Sequence, residues 1–255
     1  MVGKIFVDEG TLGPPVNAET AVADRVNRVV ALQPSYLPWL GYFEQMARAD
    51  QFVFLDNVQF TRRDWRNRNK IRTASGWSWL TVPVEQKNKY AQSLRETRID
   101  NSVNWPRKHR EAIRLNYSRA PFFEKYYPYF ESVYARQWEF LVDLCYETTA
   151  HLQEVLGITT PTLKASDLKT EGTKADLVLD LCRRMKATHY LSGELARGYL
   201  SEEDFQREGI ALEYQGYSHP EYSQRYAGFV PHLSVIDLLF NVGDESRDVL
   251  TAKQG

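Results

Sequence analysis

Val29-Val30-Ala31-Leu32 is apolar at every position, the pattern of a strand buried on both faces. After a loop, FEQMARAD reads as a helix and QFVFLDNV as a second strand. Strand, helix and strand together fill about thirty residues, the size of a βαβ unit, so the two strands are expected to lie parallel with a right-handed crossover. GWSWLTVPV predicts a further strand after a glycine turn. WPRKHREAIRLNYSRAPFFEKYYPYFESVY then predicts helical segments interrupted at Pro121 and Pro128. Trp138, Leu141, Val142, Cys145, Leu152 and Leu156 lie near one face of a helix expected from Gln137 to Leu156.

Beyond Gly157 the element types alternate again. ITTPTLKAS predicts a strand and turn, TKADLVLDLCRRMK an amphipathic helix, THYLSGE a strand, and IALEYQGY an alternating strand. Between the last two, SEEDFQREG predicts a short helix capped by Ser201, with Glu203 and Asp204 in its first turn. The expected fold is α/β, a mainly parallel sheet with flanking helices, in a domain over 28–245 with a helical insertion at about 105–156. Residues 1–27 show no period that would bury a face and are expected as a partly disordered extension. Residues 246–255 are expected as a tail, and no internal repeat occurs.

With 255 residues, 43% hydrophobic and 13% aromatic, the chain can bury a sizeable core. A formal net charge of −1 gives no global field toward DNA or membrane, so local patches must carry any such case. No long uncharged apolar stretch occurs, which predicts a cytoplasmic protein without membrane insertion. Cys145 and Cys182 share apolar stripes and are expected to pack rather than react. The histidines are scattered without metal-ligand spacing, so neither metal nor cofactor is expected. Oligomeric state is open.

Candidate chemistry starts at QPSYLPWLGYFEQ, which would leave the carboxyl end of the first strand, where ligands of parallel sheets collect. Two prolines stiffen it, Gly41 permits close approach, and Gln33, Tyr36, Trp39 and Tyr42 can wall a pocket. Alternatively, Trp39, Tyr42 and Phe43 plug the end of the sheet. Between Arg62 and Arg72 stand six basic residues against the single acid Asp64, with Trp65 among them. Arg66, Asn67 and Arg68 could cradle phosphate or carboxylate, or the run could be a solvated helix face. Asp56 and Gln59 fall just past a predicted strand end, where Asp56 could act as a base or pair with an arginine.

His219 precedes Pro220, so its backbone is held extended, and Tyr222 and Gln224 would point to one side. It is the best general base in the sequence, although a hydrogen-bonded loop histidine fits equally. Asp237 sits in the apolar run VIDLLF, where an acid must be paired or functional. Ser192 ends a predicted strand before Gly193, a candidate nucleophile or oxyanion contact without a G-x-S-x-G elbow. Ser192, His219 and Asp237 could form a triad. A second basic stretch, with Arg107, Lys108, His109, Arg110, Arg114 and Arg119, could join the first in a groove for a polyanion such as transfer RNA.

Several spaced motifs carry a resemblance. QPSYLPWLGYFEQMARADQFVFLDNVQFTRRDWRNRNKI, Trp105 to His109, YLSG-x-x-A-x-x-YL at Tyr190 to Leu200, HP-x-Y-x-Q at His219 to Gln224 and LS-x-x-DLLFN-x-G at Leu233 to Gly243 resemble the WbqC-like protein family. That family is associated with O-antigen, lipopolysaccharide and natural-product gene clusters. The resemblance implies a transferase moving an acyl or aminoacyl (glycyl) group, from a donor such as aminoacyl-tRNA, onto a sugar amine or hydroxyl. A non-catalytic sugar- or nucleotide-binding scaffold and an ATP-dependent ligase are the alternatives. Trp39-Leu40-Gly41-Tyr42 also falls where nucleotidylyltransferases, pantoate ligases and class I aminoacyl-tRNA synthetases carry His-x-Gly-His, a similarity that extends to the expected fold. Both histidines are replaced by aromatics, which cannot stabilise a developing phosphoryl charge as imidazole does.

Overall fold

The computed structural model describes residues 26–86 and 91–252. Five strands, β1 (Arg28–Leu32), β2 (Gln51–Phe54), β5 (Thr162–Lys164), β6 (His189–Ser192) and β7 (Ala211–Tyr214), form a wholly parallel sheet in the order β5-β2-β1-β6-β7. The central strand β1 pairs with β2 through Val30 and Phe52 and with β6 through Val29 and Tyr190. A two-stranded antiparallel hairpin, β3 (Arg68–Thr73) and β4 (Gly76–Thr81), stands apart from the sheet.

The apolar runs are continuous because the strands are buried on both sides. Val30, Phe52, Phe54 and Leu191 enter one core; Val29, Ala31, Val53 and Tyr190 enter the other. The first core takes α1 (Leu40–Arg48), the insertion helices α2 (Trp105–Tyr117), α3 (Phe123–Ala135) and α4 (Leu141–Val155), and α8 (Val235–Val242). The second takes α6 (Ala175–Arg184) and α7 (Glu202–Arg207), with the short α5 (Ala165–Leu168) at its edge. The molecule is therefore an α/β fold with helices on both faces, as the patterning predicts.

Four details depart from expectation. Pro128 does not interrupt a helix: α3 runs through it, since Tyr126, Tyr127, Phe130, Val133 and Tyr134 are all buried, and that packing offsets the roughly 3 kcal/mol cost of an interior proline. The basic run Arg68–Thr73 is a strand, not a helix face. Ser201 occupies the N-cap of α7 but its side chain makes no capping bond. Residues 246–251, expected as tail, form α9 (Ser246–Thr251), which packs on α1 and buries Leu250 in the first core. Of the expected extension, residues 1–25 lie outside the described residues, while Asn27 bonds to Thr188, Met185 and Lys186 beside the sheet. No described helix is long and apolar enough to cross a membrane.

Candidate functional site

In the strand order β5-β2-β1-β6-β7 the chain reverses direction of winding between β1 and β6, and the crevice of such a sheet opens at the carboxyl ends of those two strands. Gln33 to Trp39 leaves β1 there. The loop is strapped in place by its backbone: the Tyr36 amide donates to the Arg66 carbonyl at 3.0 Å, and the Val235 amide to the Pro38 carbonyl at 2.9 Å. The Asn69 side chain donates to the Leu37 carbonyl at 2.6 Å, holding that residue at φ +45°. Segments from the first strand, the arginine run and α8 thus meet at one loop.

Trp39, half-buried, is the centre of an aromatic nest. Its ring stacks on His219 at 6.4 Å and 19°, and meets Tyr217 and His232 at 5.6 Å each. His219 also contacts Tyr222, Phe229 and His232. Gly41 makes room for the indole, because a Cβ there would lie 2.4 Å from two of its ring carbons.

The His219 imidazole has a defined tautomer. Nδ1 lies 2.9 Å from the Pro220 carbonyl, which can only accept, so Nδ1 carries the proton. Nε2 is left as a lone pair, buried and without a hydrogen-bond partner among the described residues. Burial, and to a smaller degree His232, push the imidazole below its ordinary pKa, while the Pro220 contact opposes them. The shift favours the neutral ring, whose acceptor nitrogen is buried and unpartnered among the described residues.

A second set of polar groups lies along the carboxyl edge of β1 and β2. Arg66 donates to the Ser35 hydroxyl at 2.9 Å and pairs with Asp64 at 3.4 Å; its Nε has no partner among the described residues. Gln33 Oε1, the Tyr42 hydroxyl and Gln45 Oε1 are likewise buried and unpartnered among the described residues, while the Tyr146 hydroxyl faces Asp56. Such orphans are rare in native interiors, and several gathered at one sheet edge are what a polar ligand or bound waters would satisfy. Gly193 follows β6 beside Gln45, and a Cβ added there would lie 3.6 Å from the Gln45 amide nitrogen.

Other candidates turn out to be anchors. Asp56 is buried and accepts from the Ser166 amide at 2.9 Å and hydroxyl at 2.6 Å, fixing the start of α5 rather than facing an arginine. Tyr36 is fully buried; its hydroxyl bonds to His109 Nδ1 at 2.9 Å and to Tyr134. His109, which the second basic stretch offered to a polyanion, donates through Nε2 to the Thr81 carbonyl, and burial lowers it to about 4. Asn67 is buried on the Val82 carbonyl. Gln59 is exposed, its backbone bridged to Ser93.

Asp237 is fully buried and accepts from Tyr117 at 2.8 Å, Tyr222 at 2.9 Å and Gln224 at 3.0 Å. Burial raises its carboxyl to about 6 against these donors and the nearby Arg72. With Asp237 engaged there and His219 donating to Pro220, no hydrogen-bonded relay joins Ser192, His219 and Asp237. Ser192 is buried at the end of β6. Both thiols are buried and pushed upward, Cys182 to about 12.

Trp65 and Arg68 sit on the exposed side of the hairpin, away from the buried edge. Sequence reading passed over their neighbours Lys70, Trp77 and Trp79, although the period-two alternation of Arg68, Lys70, Arg72 and of Trp77, Trp79 was the available signal. Nor did it find His232, Tyr217 or Gln45, whose roles depend on contacts distant in sequence. Two open surface depressions, one along α7 and β7 at Gln206 and Leu212, the other at Arg95 and Phe140, include none of the candidate residues.

Comparison with known proteins agrees with the motif resemblance. The chain is 37% identical over 229 residues to the uncharacterized protein Rv1507c of Mycobacterium tuberculosis (strain ATCC 25618 / H37Rv), spanning 88% of this chain and 98% of that protein. No solved structure matches the chain significantly. The family model described as the WbqC-like protein family matches residues 33–249, from the loop after β1 into α9, and the chain belongs to that family.

Proposed function

We propose that the chain is a transferase that moves an activated acyl or aminoacyl group onto an amine or hydroxyl, with His219 as general base. The observation that carries this reading is the His219 ring: Nδ1–H committed to the Pro220 carbonyl, Nε2 bare, and the imidazole stacked on Trp39. A neutral histidine with its acceptor nitrogen unspent is suited to take a proton from a nucleophile. As the acceptor nitrogen or oxygen bonds to the donor carbonyl carbon, its proton passes to Nε2. When the carbonyl re-forms and the donor's leaving group departs, that proton goes to the leaving group and His219 returns neutral. In this reading Arg66, which bonds Ser35 beyond the end of β1, holds an anionic part of a substrate. The acceptor class that fits the family's setting is a sugar or natural-product amine or hydroxyl.

The sheet order favours one second reading, nucleotide-dependent ligation, because its switch-point crevice is where doubly wound folds bind nucleotides. Trp39 and the buried Tyr42 stand there without the charge that imidazoles would bring.

The test is mass spectrometry of an amino-sugar acceptor after incubation with aminoacyl-tRNA, acyl-carrier or acyl-CoA donors, with and without ATP. His219→Asn keeps a donor toward the Pro220 carbonyl and removes Nε2, so product formation is expected to fall on the order of 100-fold or more while ligand binding persists. Equal product from the variant would contradict the assignment. Binding without product from either protein would favour a scaffold, and product only with ATP the ligase.

A further inference from the structure

The β3–β4 hairpin carries a surface that the proposed chemistry does not use. Arg68, Lys70 and Arg72 alternate along β3 and Trp77 and Trp79 along β4, so the pleat puts them on one face, with Lys70 opposite Trp79 and Arg72 opposite Trp77. Arg72 is drawn inward onto the Ala227 and Gly228 carbonyls. Trp77 is exposed, while Arg68, Lys70 and Trp79 are half-buried, and the Arg68 guanidinium donates to the Arg63 carbonyl. Lys70 Nζ lies 4.2 Å from the Trp77 ring centroid, the Arg68 guanidinium 4.2 Å from that of Trp79, and Trp65 packs against Trp79 at 5.1 Å with the rings tilted by 57°. Trp65 and Trp77 are still 38% and 46% exposed.

Open indoles interleaved with cations match a partner that presents flat rings and anions in alternation. We propose that this face binds the unpaired end of an RNA, its bases stacking on Trp65 and Trp77 and its phosphates meeting Arg68 and Lys70. Charge complementarity favours this occupant: of the six cations in Arg62–Arg72, Arg68 and Lys70 stand on this face against the tryptophans, while Arg66 turns to Ser35 and Asp64 and Arg72 to the Ala227 and Gly228 carbonyls. The hairpin also adjoins the nest. The Ser234 amide donates to the Lys70 carbonyl at 2.9 Å, and the loop held by Arg72 continues to Phe229 and His232, which pack on His219. An RNA end on this face would therefore deliver a group esterified to it toward His219. That delivery rests on the transfer reading above; the binding does not.

Fluorescence anisotropy with a fluorescein-labelled, unpaired RNA oligonucleotide of mixed sequence tests the binding alone, so its failure and a failure of transfer are read separately. Expected are saturable binding that weakens as salt rises, quenching of tryptophan emission, and a loss of about tenfold or more in affinity for Trp77→Ala and for Lys70→Gln, each with an unchanged circular dichroism spectrum. Trp65→Ala serves where either variant fails to fold. No binding at low salt, affinities unchanged by the substitutions, or tighter binding of an acidic oligosaccharide or of DNA of the same sequence would overturn the proposal.

Discussion

The Tyr222 hydroxyl donates to Oδ2 of Asp237 at 2.9 Å, and the Gln224 amide donates to the same oxygen at 3.0 Å. One buried carboxylate on α8 thus fixes the register of the loop that presents His219. Asp237 is a positioning residue, and its neighbours explain why an acid is tolerated in VIDLLF: Tyr117 occupies the other oxygen, and Arg72 lies close enough to lower its pKa.

This predicts a specific pH signature. The carboxyl is raised to about 6 in the folded protein, so the folded state holds its proton where the unfolded chain has lost it. The group's contribution to stability is full below about pH 4 and is lost as pH rises through 6, a change of roughly 3 kcal/mol. In urea melts, the stability gap between wild type and Asp237→Asn is expected to narrow by about that much from pH 4 to pH 7. A gap independent of pH would contradict the buried, donor-ringed carboxyl.

His109 predicts the opposite slope. Burial depresses its imidazole to about 4, so its contribution is present above the unfolded value near 6.5 and is lost as pH falls through 4. The gap between wild type and His109→Gln is expected to shrink by roughly 3 kcal/mol over that interval in the same melts. If it widens, the neutral Tyr36–His109–Thr81 chain is wrong.

Gly41→Ala tests the seat of the nest. The added methyl meets the Trp39 ring, which Tyr217, His219 and His232 hold from other sides. The expected cost is about 1–3 kcal/mol, larger than the gain in helix propensity, and visible as a lowered Tm. In a Trp39→Ala background the same substitution is expected to cost nothing. Additive effects would show that the indole is not what the glycine accommodates.

The strands and most helices were legible because they carry long-lived periodicities: Val29 to Leu32 and Phe52 to Phe54 need burial on both sides, and the stripe of α4 needs one. Of the hairpin, β4 was legible in GWSWLTVPV but β3 was not, because alternating arginines and lysine make an amphipathic strand that a hydrophobic count misses. Pro128 was misread because local propensity yields to the tyrosines and Phe130 packed around it. At the candidate site, His219, Trp39 and Arg66 stood out in the sequence by residue type and loop position, and the structure brings the Trp39 and His219 rings together. Asp56, Tyr36 and Asn67 were not separable from them, since what makes each an anchor is a partner far along the chain, Ser166 for Asp56 and His109 for Tyr36.

Both thiols are sealed in the core, and neither belongs to the proposed chemistry. Native protein is expected to leave Cys145 and Cys182 unlabelled by Ellman's reagent over minutes, with both titrating in guanidinium. Rapid labelling of one thiol in the native state would reopen a covalent acyl-enzyme route.

The central claim is that Nε2 of His219 accepts the proton in group transfer, and the pH profile of kcat/KM reads it most directly. Wild type is expected to show an acid limb with an apparent pKa below the ordinary histidine value, in keeping with the buried ring, and His219→Asn to lack that limb at a much lower plateau. A variant that keeps both the limb and the rate would contradict the account.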